Sequence, residues 1–216
     1  MDNPQICQPL YDAILNGNAK GATAAVKTAL AEGADPQALL DKAMIPAMDE
    51  VGRLFEANEY FVPELLIAAR AMKAALAEVQ PILTQSGAKP HARVAIGTVK
   101  GDLHDIGKNL VAAMLEGGGF EVIDLGVDVD PEKFIDAAQS QKVQIVAMSA
   151  LLTTTMPAMK TTIEAMQNAG VRNQFKIMVG GAPITEEFAK EIGADAFGNS
   201  AASAVAVARK LVATPA

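Results

Sequence analysis

The chain has 216 residues, half of them hydrophobic, and a formal charge of −7 at pH 7. That is enough apolar material for one large core or two small ones, and the wrong sign for a nucleic-acid surface. No apolar run reaches the roughly 18 residues that cross a bilayer, MDNPQICQPL is no signal peptide, and the lone Cys7 excludes an internal disulfide. These features predict a soluble cytoplasmic protein without membrane or nucleic-acid partners.

Up to about Val79 the apolar spacing is helical. Leu40, Met44, Met48, Val51 and Phe55 draw one stripe; Leu65, Ala69, Met72, Leu76 and Val79 draw another. Pro46 lies inside the first pattern and predicts a kink there. Pro63 suits the first turn of the last helix, where its missing N–H costs nothing. Asn16-Gly17-Asn18, Gly33-Ala34-Asp35-Pro36 and the turn at Asn58 punctuate the region. The pattern predicts two shorter and then two longer helices, a four-helix bundle over residues 1–88.

Ser86-Gly87-Ala88-Lys89-Pro90 reads as a linker, and from 89 to 216 the period changes. Arg93–Val99, Glu121–Leu125, Ile145–Ala150, Lys176–Val179 and Ala196-Phe197 read as five short strands. Helical patterns at 106–117, 131–140, 156–169, 185–191 and 201–212 separate them. Such alternation predicts right-handed crossovers and a parallel sheet, with the flavodoxin-like (Rossmann-like) order 2-1-3-4-5. The fold class is therefore α followed by α/β. In open sheets of this kind ligands sit beyond the carboxyl ends of the strands.

The stretch 97-GTVKGDLHDIGKNLV-111 lies at such an end and holds one of only two histidines. One reading is a plain turn at Gly101-Asp102, with Asp105 favourable near the start of the next helix. A phosphate loop fits poorly: five residues rather than four separate Gly101 from Gly107, and Asn109 follows Lys108. The dinucleotide pattern G-x-G-x-x-G is also missing. A further reading is a metal ligand, His104, oriented by Asp102 two residues away. No cysteine or second histidine lies near enough in sequence to complete a zinc site. A metal taking one protein ligand must bring its others with it, as a macrocycle does.

Asp102-Leu103-His104-Asp105-Ile106-Gly107 resembles the D-x-H-x-x-G signature of cobalamin-binding domains. Ser149-Ala150-Leu151 is similar to the accompanying S-x-L, and Gly180-Gly181 to the family's G-G. Each pattern is short, but together they close three different expected strands in the right order. The helical region resembles the family's cap, above all in 51-VGRLFEANEYFVPELLIAARAM-72. The two-domain layout is similar to the small corrinoid proteins of methanogen and acetogen methyltransferase systems, relatives of the cobalamin module of methionine synthase.

The resemblance implies cobalamin bound base-off, with His104 as the lower axial ligand of cobalt and Asp102 as its hydrogen-bond partner. Thr155 falls where the relay's third member, a serine in methionine synthase, is expected. Gly107, Ser149 and Leu151 would border the nucleotide tail, and Asp105, Ile106 and Thr153 would be further cofactor-binding residues. Gly180 and Gly181 would flank the tail where side chains do not fit, and Gly198-Asn199-Ser200, leading into the last helix, would present N–H groups to the nucleotide. Bland alternatives stand beside these roles: Ser149 as a small strand-ending residue, and the glycine pair as a tight turn. Phe61, with Leu65 a turn further on, would cover the corrin's upper face, or both would belong to the bundle core.

The implied function is a methyl carrier cycling between cob(I)alamin and methylcob(III)alamin. A substrate-specific methyltransferase would load it, and a second enzyme would pass the methyl to coenzyme M or tetrahydrofolate. A reductive activation protein would be a further partner. The alternative is a cobalamin-dependent regulator or sensor module.

Overall fold

The computed structural model describes residues 4–85 and 92–213. The linker Ser86–Pro90 and the second histidine, His91, lie outside the described residues. The chain falls into two compact units divided there, with Glu116–Gly119 counted in the first.

The first unit is helical: α1 Pro4–Leu15, α2 Ala19–Ala31, α3 Pro36–Leu39, α4 Ile45–Glu56 and α5 Val62–Gln85. Asn18 caps α2 by accepting the Gly21 N–H, and Asp35 caps α3 by accepting those of Gln37 and Ala38. α1 packs on α2 and α4, and α5 on the same two, closing a four-helix arrangement. Ala22 and Ala29 on α2, with Ala68, Ala71 and Ala75 on α5, are buried. Such small side chains let helix backbones approach. Leu10, Ile14, Val26, Met44, Met48, Val51, Leu65, Met72 and Val79 supply the bulk.

The kink expected at Pro46 takes another form. Leu40–Met44 is a π turn between α3 and α4, and the Ile45 N–H reaches back to the Leu40 carbonyl. Pro46 consequently sits in the first turn of α4, where no N–H is needed. The widened turn absorbs the ring that an unbroken α-helix would have met as a clash.

The second unit holds five strands: β1 Arg93–Thr98, β2 Glu121–Asp124, β3 Ile145–Ser149, β4 Lys176–Gly180 and β5 Ala196–Gly198. All pairs are parallel, in the order β2-β1-β3-β4-β5. Helices α6 Ile106–Gly117, α7 Pro131–Ser140, α8 Met156–Asn168, α9 Glu186–Glu191 and α10 Ala201–Ala213 alternate with them, and a 3₁₀ turn at Arg172–Gln174 precedes β4. One face packs against α7, α8 and α9 through Ala95, Val146, Met148, Phe134, Met159, Ile163 and Ala189. Phe134 is wholly buried, and full burial of a side chain that size contributes about 1.5–3 kcal/mol. A Cβ on Gly97 would meet its ring, so β1 needs glycine there to accept it.

Candidate functional site

Gly101 turns the chain beyond β1 with φ 83°, a left-handed conformation that glycine takes without cost. That turn sends the Asp102 side chain inward, where it is wholly buried. Its Oδ1 accepts the His104 backbone N–H at 3.0 Å and the ring Nδ1–H at 2.7 Å. Its Oδ2 accepts the Leu151 N–H at 2.8 Å and the Thr155 hydroxyl at 2.6 Å, with the Leu152 N–H further off at 3.4 Å. Burial pushes the carboxyl's pKa up. The Thr155 hydroxyl, the N–H groups of His104 and Leu151 and the imidazole outweigh it and hold the carboxyl well below the usual carboxylate range.

An ionised carboxylate only accepts, so the neutral imidazole keeps its proton on Nδ1 and its lone pair on Nε2. The ring is about half exposed, at 49 % of its side-chain surface. Nε2 is therefore a basic nitrogen oriented from behind, the form in which histidine binds a metal. The Thr98 hydroxyl donates to the His104 carbonyl at 2.9 Å and fixes the far end of the loop. Among the described residues no group of three or more His, Cys, Asp or Glu side chains is placed to hold a bare metal ion.

A row of small residues closes the strands at this end of the sheet. Thr98 pairs with Ser149, Ser149 with Gly180, and Gly180 with Gly198, one register row at the carboxyl ends of four strands. Partners in register share a face of a pleated sheet. Here it is the face toward α6 and α10: Asp124, which pairs with Ile96 two residues before Thr98, reaches Lys108 of α6. A Cβ on Gly198 would meet Ala204 of α10. One on Gly180 would press on the Gly198 carbonyl, and one on Gly181, at φ 133°, would overlap the Ala150 carbonyl. Backbone packing thus requires both members of the glycine pair. Gly107 differs: a Cβ there would meet nothing within 4 Å. The protein itself gives no packing reason for that glycine, whereas a ligand lying along the start of α6 would.

Around the same end Leu103, Ile106, Leu151 and Leu152 are exposed, Ile106 to 80 %. Thr153 is exposed as well. Asp105 binds the start of α6, accepting the Asn109 backbone and side-chain N–H groups. Ser200 and Ser203 bond reciprocally at the start of α10, after Gly198. In the helical unit Phe61 is 61 % exposed, while Leu65 is wholly buried, in keeping with its place in the apolar stripe.

The sequence singles out Asp102, His104 and Thr155, and the structure brings the three side chains together. The sequence does not single out Thr98, the N–H groups of Leu151 and Leu152, Leu103, or the buried Lys108, whose ammonium is 2.6 Å from both oxygens of Asp124. Main-chain donors leave no mark in sequence. Lys108, read there only against a phosphate-loop pattern, stands one residue after the signature glycine.

Two family models, each described as a B12 binding domain, match residues 6–80 and 92–208. Trimethylamine corrinoid protein 1 of Methanosarcina acetivorans is 42 % identical over 210 residues, covering 96 % of this chain and 97 % of that one. Dimethylamine corrinoid protein 1 of the same organism is 38 % identical, covering 99 % and 100 %. The structure of the methanol:cobalamin methyltransferase complex MtaBC from Methanosarcina barkeri superposes with a TM-score of 0.87 at 29 % identity, over 99 % of this chain and 82 % of that one. A cobalamin-binding protein from Desulfitobacterium hafniense gives 0.79 at 32 % identity, over 95 % and 98 %. With both units matched and relatives aligned along nearly their whole length, the chain belongs to the cobalamin-binding corrinoid proteins of methyltransferase systems.

Proposed function

We propose that this methyl-carrying corrinoid protein shuttles between two enzymes, a substrate-specific methyltransferase that loads it and a second that delivers the methyl to coenzyme M or tetrahydrofolate. A reductive activation protein serves it when cobalt is overoxidised. The relatives named for trimethylamine and dimethylamine favour a methylamine as donor. Bound cobalamin supplies a cobalt centre that can act as nucleophile and then as methyl donor.

The chain's own residues orient and tune. The observation that supports the reading is the buried, ionised Asp102 on Nδ1 of His104, which leaves the Nε2 lone pair available to a ligand. Thr155 supports the carboxylate from the other side. Ser149, Gly180, Gly198 and the open side of Gly107 would border the nucleotide tail, leaving the cofactor base-off. Leu103, Ile106 and Leu151 would meet its apolar rim. Phe61, exposed on the helical unit, would shelter the opposite face.

The test is electron paramagnetic resonance of the cobalt(II) form on protein grown with nitrogen-15 histidine. A histidine ligand turns the nitrogen triplet on the cobalt lines into a doublet, and His104→Ala removes it. A triplet that survives labelling assigns the ligand to the cofactor's own base and sinks the His104 reading.

A further inference from the structure

The turn bearing Asp102 and His104 is gripped from two sides. On one, the buried carboxylate gathers donors from the loop after β3. On the other stands Asp128, between β2 and α7. Its Oδ1 accepts the Gly101 N–H at 2.8 Å, and its own N–H donates to the Asp102 carbonyl at 3.0 Å. One residue thus holds both ends of the Gly101-Asp102 pair. Beside this clamp Val99 bridges to Val129, and Lys100 lies 3.4 Å from Asp128 and 3.3 Å from Asp130. Asp128 does this at φ 52°, a left-handed backbone that Asp and Asn tolerate better than most side chains.

We propose that Asp128 is a positioning residue for the His104 ligand, acting through the main chain of Gly101 and Asp102; this rests on the reading of His104 given above. The imidazole is tied to the protein through Asp102 Oδ1, so a small rotation of the Asp102 backbone swings Nε2 off its aim. Asp128 is the group that resists that rotation from the side away from Thr155. Half of its grip is a side-chain acceptor and half a backbone donor that depends on the left-handed turn. The two halves are separable by substitution. Asn keeps the acceptor and tolerates the turn, Gly keeps the turn without the acceptor, and Ala keeps neither.

The experiment compares Asp128→Asn, Asp128→Gly and Asp128→Ala in the full chain. The histidine-ligated fraction is read from the nitrogen coupling of the cobalt(II) form, and the imidazole tautomer from nitrogen-15 shifts in the cofactor-free protein. Asn should stay near wild type. Gly and Ala should lose roughly three- to tenfold in the ratio of ligated to unligated histidine, the worth of one ordinary hydrogen bond, and should admit the Nε2–H tautomer. Ala should also melt lower than Gly, from its added backbone strain. A merely structural Asp128 would lower melting in Ala yet leave ligation and tautomer at wild-type values in Gly and Ala, and that result overturns the proposal. Nitrogen coupling missing from the wild type overturns the His104 reading and this proposal with it.

Discussion

At Asp102 both carboxylate oxygens receive donors and neither faces an acceptor. Asp102→Asn puts an NH₂ where one oxygen stood, so a donor meets a donor in a buried place, a mismatch worth about 1–3 kcal/mol. Because the folded pKa is depressed, the aspartate's contribution is complete above its unfolded value, near 4. It is lost as pH falls from there toward the folded pKa, where the wild type must also take up a proton. Urea unfolding of the sheet-containing unit should therefore show Asp102→Asn weaker by about 1–3 kcal/mol at pH 7, with the gap narrowing below about pH 4. An equal gap at pH 7 and pH 3 would show that the charge is not what holds the turn. The pairing of Asp102 with His104 was legible because a two-residue spacing lets one carboxylate reach both the backbone and the ring of its neighbour. The donors from Leu151, some fifty positions away, were not, because nothing in a side-chain sequence announces a main-chain N–H.

At the level of elements, the glycines divide by what their missing Cβ would touch. Gly181→Ala drives a methyl into the Ala150 carbonyl at a φ that side chains avoid, so the variant should lose at least about 3 kcal/mol or fail to fold. Gly107→Ala meets only open space at the start of α6; its stability should hold or rise by up to about 1 kcal/mol. If the cofactor tail passes there, its affinity for cobalamin should nonetheless fall, by roughly tenfold or more. Wild-type affinity in a stable Gly107→Ala protein would move the tail away from α6. The strands were readable to within a residue because short β-branched runs between helical patterns admit few alternatives in a parallel sheet. The π turn at Leu40–Met44 was not, since apolar spacing records which face is buried but not which carbonyl an N–H selects. Pro46 signalled a disturbance without saying that the preceding turn would absorb it.

Across the whole molecule, two cores joined through residues 86–91 need not unfold together. The chain carries its own probe for separating them. It has no tryptophan and two tyrosines, Tyr11 and Tyr60, both in the helical unit, the latter bonded to the Leu15 carbonyl. Tyrosine emission therefore follows the helices, whereas far-ultraviolet dichroism follows both units. Ligand at a hundred times its dissociation constant stabilises whatever it binds by about 2.7 kcal/mol. A helical unit that is only tethered would keep its melting temperature when cobalamin is added, and the other unit alone would gain. A helical unit that shelters the cofactor through Phe61 must gain too, because a ligand contacting both units links their equilibria. We expect the tyrosine-detected transition to rise with cobalamin and to lose most of that rise in Phe61→Ala. That substitution should cost the cofactor-free protein little, since the ring is 61 % exposed. If cobalamin leaves the tyrosine transition where it was in the wild type, Phe61 is no shelter. The methyl group must then be protected by the methyltransferases themselves.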